Sequence, residues 1–145
     1  MSSETGIFRF LRKPLRRFMV AFRNRSKGTE LAGQVAVADT TWTRLVGLLN
    51  RSALGPDEGL WIYPCSAVHT WGMRFPIDAV FLEKLAPLAE PGVRGRLCRV
   101  RKIYHRLAPW RMTGLVWKAE SVLELTAGSA QEKGIEAGDE LEIRI

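Results

Sequence analysis

The feature that most restricts the fold of this chain is a series of short apolar segments separated by glycine- and proline-rich turns. Apolar and polar residues alternate at Val35 and Val37, from Cys98 to Lys102 and from Leu141 to Ile145, which is the period of a half-buried strand. Continuous apolar strands are predicted over residues 60–63, 77–82 and 121–125, with turns over 54–59 and 134–139. Many short strands predict a mainly β fold, a small barrel or sandwich with one or two short helices.

The length and composition fit one globular domain. The chain has 145 residues, enough for a single hydrophobic core, and its 46% hydrophobic and 26% charged residues exclude disorder throughout. One helix is predicted after Thr40 or Thr41, either of which can cap its N-terminus. Its apolar face would consist of Trp42, Leu45, Val46 and Leu49.

The formal net charge of +7 comes from the N-terminal segment. Residues 1–27 hold eight basic residues and only one acidic residue, Glu4, whereas residues 28–145 hold fourteen of each sign. At helical periodicity, residues 7–23 form a basic amphipathic helix, with its easiest start near Pro14. Such a helix is typical of an interfacial membrane segment, whose predicted contacts are Phe8, Phe10, Leu11, Phe18 and Phe22.

Packing of this apolar face on the domain or on a partner, and nucleic-acid binding by the arginines, are the alternatives for the N-terminal arm. Residues 24–28 are predicted to be a linker. The predicted organisation is therefore a basic arm and linker over residues 1–28 and one β-rich domain over residues 29–145. We expect the fragment 33–145 to fold without the arm.

The cellular compartment is predicted from the cysteines and the absence of targeting patterns. Two cysteines make no disulfide framework and suit a reducing compartment. No apolar run is long enough for a spanning helix, and the N-terminus lacks the pattern of a secretory signal. The predicted location is the cytoplasm, with attachment to the inner face of the membrane as the alternative offered by the arm.

A polar loop over residues 64–78 is the candidate site. Two prolines and a glycine interrupt regular structure there, and the loop leads directly into an apolar strand. The predicted ligand-binding residues are His69, Trp71, Arg74 and Asp78, which offer a titratable ring, a flat apolar face, a fork for anions and a carboxylate. For Asp78 the favoured role is structural, because a carboxylate entering an apolar strand must accept backbone or arginine hydrogen bonds.

The residue types also allow three further chemistries. Cys65 as nucleophile with His69 as its base would make a small hydrolase, although no dedicated cysteine motif surrounds Cys65. Cys65, His69, Cys98 and His105 supply the four ligands that zinc prefers, but with unfamiliar spacing, so no metal is predicted. The basic segment 94–111, interleaved with Tyr104, His105 and Trp110, is the candidate nucleic-acid surface.

Four ordered motifs resemble the family known as domain of unknown function 192, or uncharacterised protein family 0127. They are residues 41–49, 69–78, 122–128 and 134–139, and the resemblance covers about residues 33–145. It implies a compact, mostly β domain whose activity is not settled. Two departures are notable: relatives carry Trp-Met-Lys-Asn-Thr where this chain has residues 69–73, and a short hairpin where it has a longer loop over 83–96. No catalytic residue is therefore transferred from the family.

The sequence as a whole favours a non-enzymatic binding or accessory module with a polar loop site. No cofactor is implied. The expected partners are an anionic membrane surface through the arm and a small molecule or protein of unknown identity. Nucleic acid is the less favoured partner.

Overall fold

The computed structural model describes residues 19–39, 48–49 and 51–145. Within these ranges the chain forms seven strands and one short helix, which confirms the prediction of a mainly β, barrel-like domain. The arm up to Phe18, with four of its five predicted membrane contacts, lies outside the described residues. So does the helix predicted after Thr40 or Thr41, apart from Leu48 and Leu49, which form a turn.

The strands are short and mostly coincide with the predicted apolar segments. The bounds are β1 Met19–Asn24, β2 Thr29–Ala38, β3 Glu58–Ile62, β4 Ile77–Pro87, β5 Gly95–Leu107, β6 Ser121–Thr126 and β7 Glu140–Arg144, with helix α1 at Ser129–Glu132. Among the described residues no helix has the length and apolar character needed to cross a membrane.

The seven strands close into a barrel in the order β1-β2-β3-β6-β4-β5-β7. Neighbouring strands are antiparallel except for β2 and β3, which are parallel, so the chain must cross over between Ala38 and Glu58. β1 closes the barrel by pairing with β2 on one side and β7 on the other, where Ala21 faces Arg144. Closure leaves none of the seven described strands with an open edge in the barrel.

Two apolar cores lie on the two sides of the barrel wall. All seven strands contribute to the inner core, which includes Phe22, Trp61, Val80 and Leu123, so this core fills the barrel. Alternate residues of β3, β4 and β6 face outward and form an outer core with residues from the loops that cover it, including Leu60, Ala79, Val122, Val68 and Met73. These three strands are therefore buried on both faces.

The N-terminal strand corrects the predicted amphipathic helix. From Met19 to Asn24 the burial pattern alternates, with Val20 and Phe22 buried in the inner core and Phe22 fully inaccessible. Phe22 is thus a core residue, and its prediction as a membrane contact was wrong. The apolar spacing of this segment is compatible with both a helix and a strand. The segment forms a strand because its backbone pairs with β2 and β7. The barrel consequently begins before the predicted domain start at residue 29.

Residues 24–28 form an ordered turn, which corrects their prediction as a linker. The Asn24 side chain donates to the Asp139 carboxylate at 2.8 Å, and its oxygen accepts the Lys27 backbone N–H at 3.2 Å. Burial alone would raise the pKa of Asp139, but the Glu136 backbone N–H, Asn24 and Lys27 outweigh it and hold that pKa below its usual value. The turn after β1 is therefore joined to the turn before β7.

The loop predicted over residues 83–96 is largely a hairpin. β4 continues to Pro87 and β5 begins at Gly95, so only residues 88–94 connect them. Gly95 is required by close approach, because a Cβ there would clash with the carbonyl oxygen of Ile143 in β7. At the outer end of this hairpin the residues of β4 do not alternate clearly between polar and apolar. The sequence pattern therefore did not predict a strand there.

Candidate binding surface

Two loops lie side by side on the outer core and form a flap, which we define as residues 64–76 and 108–119. They run antiparallel: the backbone N–H of Thr113 donates to Val68 O at 2.9 Å, and that of Val116 donates to Ser66 O at 2.9 Å. At the base of the flap, the Cys65 N–H donates to the carbonyl of Glu120 at 2.9 Å. The first loop follows β3 and precedes β4, and the second joins β5 to β6, so barrel strands anchor all four ends of the flap.

Thr70 joins the two loops at the end of the flap near β4 and β5, which we call its tip. Its buried hydroxyl donates to Ala108 O at 2.6 Å and accepts the Arg111 N–H at 2.9 Å. Its carbonyl accepts the N–H groups of Met73 and Trp110, both at 3.1 Å. A buried threonine that satisfies backbone groups from both loops gives the flap one defined shape.

A second threonine, Thr113, pins the middle of the flap. Its hydroxyl accepts the Val68 N–H at 3.0 Å, while Val68 itself packs into the outer core. The side chains of the flap therefore divide between two faces. Val68, Thr70 and Thr113 point inward, and the residues next to them point to solvent.

The outward face of the flap is rich in exposed apolar side chains. His69 and Met112 are directly opposite in an antiparallel bridge, and the His69 ring packs on Trp71 with ring centroids 5.1 Å apart. The backbone N–H of Trp110 donates to the carbonyl of Thr70, the residue between His69 and Trp71. The exposed fractions are 49% for Trp71, 67% for Trp110, 64% for Met112, 84% for Leu115 and 79% for Trp117. All five of these exposed apolar side chains lie in the two loops of the flap.

The charges on the flap are all positive. Arg74, Arg111 and Lys118 are exposed, and residues 64–76 and 108–119 contain no acidic residue. Within the described part of the chain none of the three has an ion-pair partner. The flap face therefore combines positive charge with exposed apolar side chains.

Two residues of the flap adopt the left-handed backbone conformation that side chains disfavour. Trp110 has φ 63° and Lys118 has φ 62°. Each such residue costs on the order of 1 kcal/mol and persists only where surrounding contacts impose it. For Trp110 one such contact is its hydrogen bond to Thr70, and the result is that an indole is held out toward solvent.

Three of the four predicted ligand-binding residues lie together on the flap, and the fourth does not. His69, Trp71 and Arg74 are exposed, whereas Asp78 is fully buried in β4. The carboxylate of Asp78 accepts backbone N–H groups from Arg106 at 2.8 Å, Gly128 at 3.1 Å and Ala130 at 2.8 Å. Asp78 thus joins β5 and the turn before α1 to β4, and it is not accessible to a ligand.

The residues considered for zinc are dispersed, with Cys98 and Cys65 packed in different cores. Cys98 faces the inner core, where burial raises the pKa of its thiol to about 11, and His105 is exposed on β5. Cys65 packs at the outer core, and its thiol donates to Ala67 O at 3.0 Å. No group of three or more metal-ligating side chains occurs among the residues that the structure describes. The two cysteines do not form a disulfide.

Part of the basic segment 94–111 is neutralised by acidic neighbours. Arg99 lies 3.6 Å from Glu140, and Arg101 lies 3.4 Å from Glu83. Lys102 lies over the ring of Tyr104, 4.7 Å from its centroid. Arg111, at the C-terminal end of the segment, is exposed and belongs to the flap.

Sequence reasoning missed the second half of the flap. Met112, Leu115 and Trp117 were not predicted as site residues, and Trp110 was considered only as part of the basic segment. The available signal was a stretch, 110–118, with two tryptophans, a methionine and a leucine but neither helical nor strand periodicity. The sequence does not show which residues lie opposite this stretch in the flap, because that depends on tertiary structure.

Comparisons with known proteins confirm the family resemblance. The family model of domain of unknown function 192, described as "Uncharacterized ACR", matches residues 22–90. The chain has no significant match among curated proteins.

Two solved structures share the fold. A protein of unknown function from Novosphingobium aromaticivorans superposes with a TM-score of 0.67 at 22% identity, covering 85% of this chain and 82% of the other. A "putative transcription regulator" from Sinorhizobium meliloti superposes with a TM-score of 0.64 at 23% identity, covering 86% and 91%. At these identities the likeness is one of fold alone.

Proposed function

We propose that this chain, which matches the domain of unknown function 192 family over residues 22–90, is a non-enzymatic binding module. The barrel is the scaffold, and the outward face of the flap is the contact surface. The observation that carries the proposal is the exposed group of Trp71 and Met112 around His69, on two cross-linked loops that also expose Trp110.

The flap has the composition of a binding site. The residues that contribute most to the free energy of protein contacts are enriched in tryptophan and arginine. Trp71, Arg74, Trp110 and Arg111 are all exposed on the two loops of this flap. The Thr70 and Thr113 hydrogen bonds fix the loops beforehand, so that binding loses little backbone entropy.

The hydrolase alternative stays a prediction from the sequence. It requires a thiolate next to a base, whereas the Cys65 thiol donates its hydrogen to the Ala67 carbonyl. Nucleic-acid binding through residues 94–111 likewise stays a prediction.

Oxidative footprinting in living cells tests the proposed binding surface. The full chain is expressed, and hydroxyl-radical oxidation of Trp110, Met112 and Trp117 is compared between intact cells and the purified protein. We expect strong protection of these residues in cells, with equal oxidation of His105, which is exposed outside the flap. Protection should be lost in Leu115→Ser but kept in Ile145→Ser, a matched exposed apolar residue. Equal oxidation of the flap in cells and in solution would contradict the proposal.

A further inference from the structure

We infer that the partner of the flap is an anionic membrane surface, on which the flap lies with Trp117 and Leu115 inserted among the lipid headgroups. The inference rests on the proposed function and adds the chemical class of the partner. It follows from the kind of apolar residue exposed, from the sign of the charges beside them, and from where the basic arm joins the barrel.

The exposed apolar residues are of the kind that enters a lipid interface. Indole rings favour the headgroup region because they are apolar with one polar N–H. Leu115 at 84% exposure and Met112 at 64% are aliphatic and offer no face for stacking on a base. A mixture of indoles and exposed aliphatic side chains thus favours lipid over nucleic acid.

The charges beside these residues complement an anionic surface. Lys118 follows Trp117 directly, Arg111 precedes Met112, and Arg74 is exposed in the first loop. Each basic residue close to such a surface strengthens binding about fivefold, and no carboxylate within the flap segments opposes this.

The arm joins the barrel near the base of the flap. β1 begins at Met19, which pairs with Ala36, and Ala36 pairs in turn with Leu60 of β3. β3 ends at Ile62, where the chain enters the flap. Met19 is therefore only two strand spacings, of about 4.8 Å each, from the strand that leads into the flap.

The sequence before Met19 is basic and apolar in the same way as the flap. Residues 1–18 contain Arg9, Arg12, Lys13, Arg16 and Arg17 with Glu4 as their only acidic residue, together with three phenylalanines. Stable membrane attachment generally needs two signals, since one short apolar segment binds weakly and reversibly. The arm ends at Met19 and the flap starts after Ile62, at the same end of the barrel. The arm and the flap are two such signals.

Vesicle sedimentation with the full chain tests this inference. The vesicles contain phosphatidylcholine alone or phosphatidylcholine with phosphatidylglycerol. We expect binding to the anionic vesicles with a blue shift of tryptophan emission, and little binding to the neutral ones. Leu115→Ser should weaken binding about tenfold because it removes one inserted side chain, whereas Ile145→Ser should not.

Two lysine variants distinguish binding through the flap from non-specific attraction of a basic protein to an anionic surface. Lys118→Gln should weaken binding to anionic vesicles about fivefold, whereas Lys84→Gln, an exposed lysine on the hairpin of β4, should change it much less. All four positions are exposed, and unchanged thermal melts establish that the variants are folded. Equal effects of Lys118→Gln and Lys84→Gln, or no effect of Leu115→Ser, would overturn the inference.

The proposed function and the membrane inference fail in different ways. Absence of vesicle binding, with the flap still protected in cells, would overturn the membrane as partner and leave the binding module in place. Salt-sensitive binding of a single-stranded oligonucleotide, weakened by Leu115→Ser, would assign the flap to nucleic acid and overturn the inference as well. Absence of both protection and vesicle binding would overturn both proposals.

Discussion

Asp78 shows how one side chain can connect three parts of a barrel. Its carboxylate is buried and accepts three backbone N–H groups, from β5, from the turn at Gly128 and from α1. The sequence indicated such a role because a carboxylate in an apolar strand requires donors. It could not indicate which donors, because two of the three lie some fifty residues away along the chain.

We predict that Asp78→Ala destabilises the protein by about 3 kcal/mol, because three backbone N–H groups lose their buried acceptor. Urea unfolding of the two proteins measures the difference. Asp57→Ala is the matched control, since Asp57 also accepts a backbone N–H, from Gly33 at 2.8 Å, but at the surface. A melt of Asp78→Ala that matches the parent would contradict the structural role.

Glu124 is a buried carboxyl at the centre of the outer core. It lies in β6 between Leu60 of β3 and Ala79 of β4 and is 4% exposed. Burial raises the pKa of Glu124 to about 8, so the folded protein holds this proton at neutral pH. The unfolded chain releases it near the ordinary glutamate pKa of about 4.3.

The pH dependence of stability should therefore contain a contribution from Glu124 that is largest in acid. This contribution is complete below the unfolded pKa and declines by about 1.4 kcal/mol per pH unit as pH rises toward 8, because only the unfolded state loses the proton. We expect Glu124→Gln to match the parent near pH 5 and to exceed it in stability near pH 8. Urea unfolding across this range measures both curves, and parallel curves would refute the assignment.

At the scale of elements, β1 is the strand that sequence periodicity misassigned. The fragment 33–145, expected from the sequence to fold alone, lacks β1 and the first four residues of β2. It would expose one side of β7 and remove Phe22 and Leu31 from the inner core. We now predict that 33–145 has no cooperative thermal melt, whereas 19–145 melts cooperatively. A cooperative melt of 33–145 would show that β1 is dispensable.

The elements also show what the sequence could and could not predict. β3, β4 and β6 were found because their apolar runs are long enough to be buried on both faces. The hairpin of β4 and β5 was taken for a loop, because beyond the barrel wall its side chains are exposed and lose their alternation. The flap has no regular period at all, and its shape depends on hydrogen bonds of Thr70 and Thr113 to residues about forty positions away.

At the scale of the whole molecule, the sequence predicted the type of fold and half of the candidate surface. Composition and strand spacing predicted a mainly β domain, either a barrel or a sandwich, and the pairing of β1 with β7 decides for the closed barrel. His69, Trp71 and Arg74 were recognised because unusual residues are concentrated in one loop. Their partners Trp110 and Trp117 come from a distant loop, and only the strand order of the barrel brings the two loops together.

The pairing of β1 with β7 also has a consequence for synthesis on the ribosome. Ala21 emerges more than a hundred residues before its partner Arg144. Until then β1 has no neighbour on one side, and the Asn24 amide has no Asp139 to bind. Closure of the barrel is thus a late event in translation, and a nascent chain that stalls before β7 would expose an open sheet edge to chaperones and to neighbouring chains.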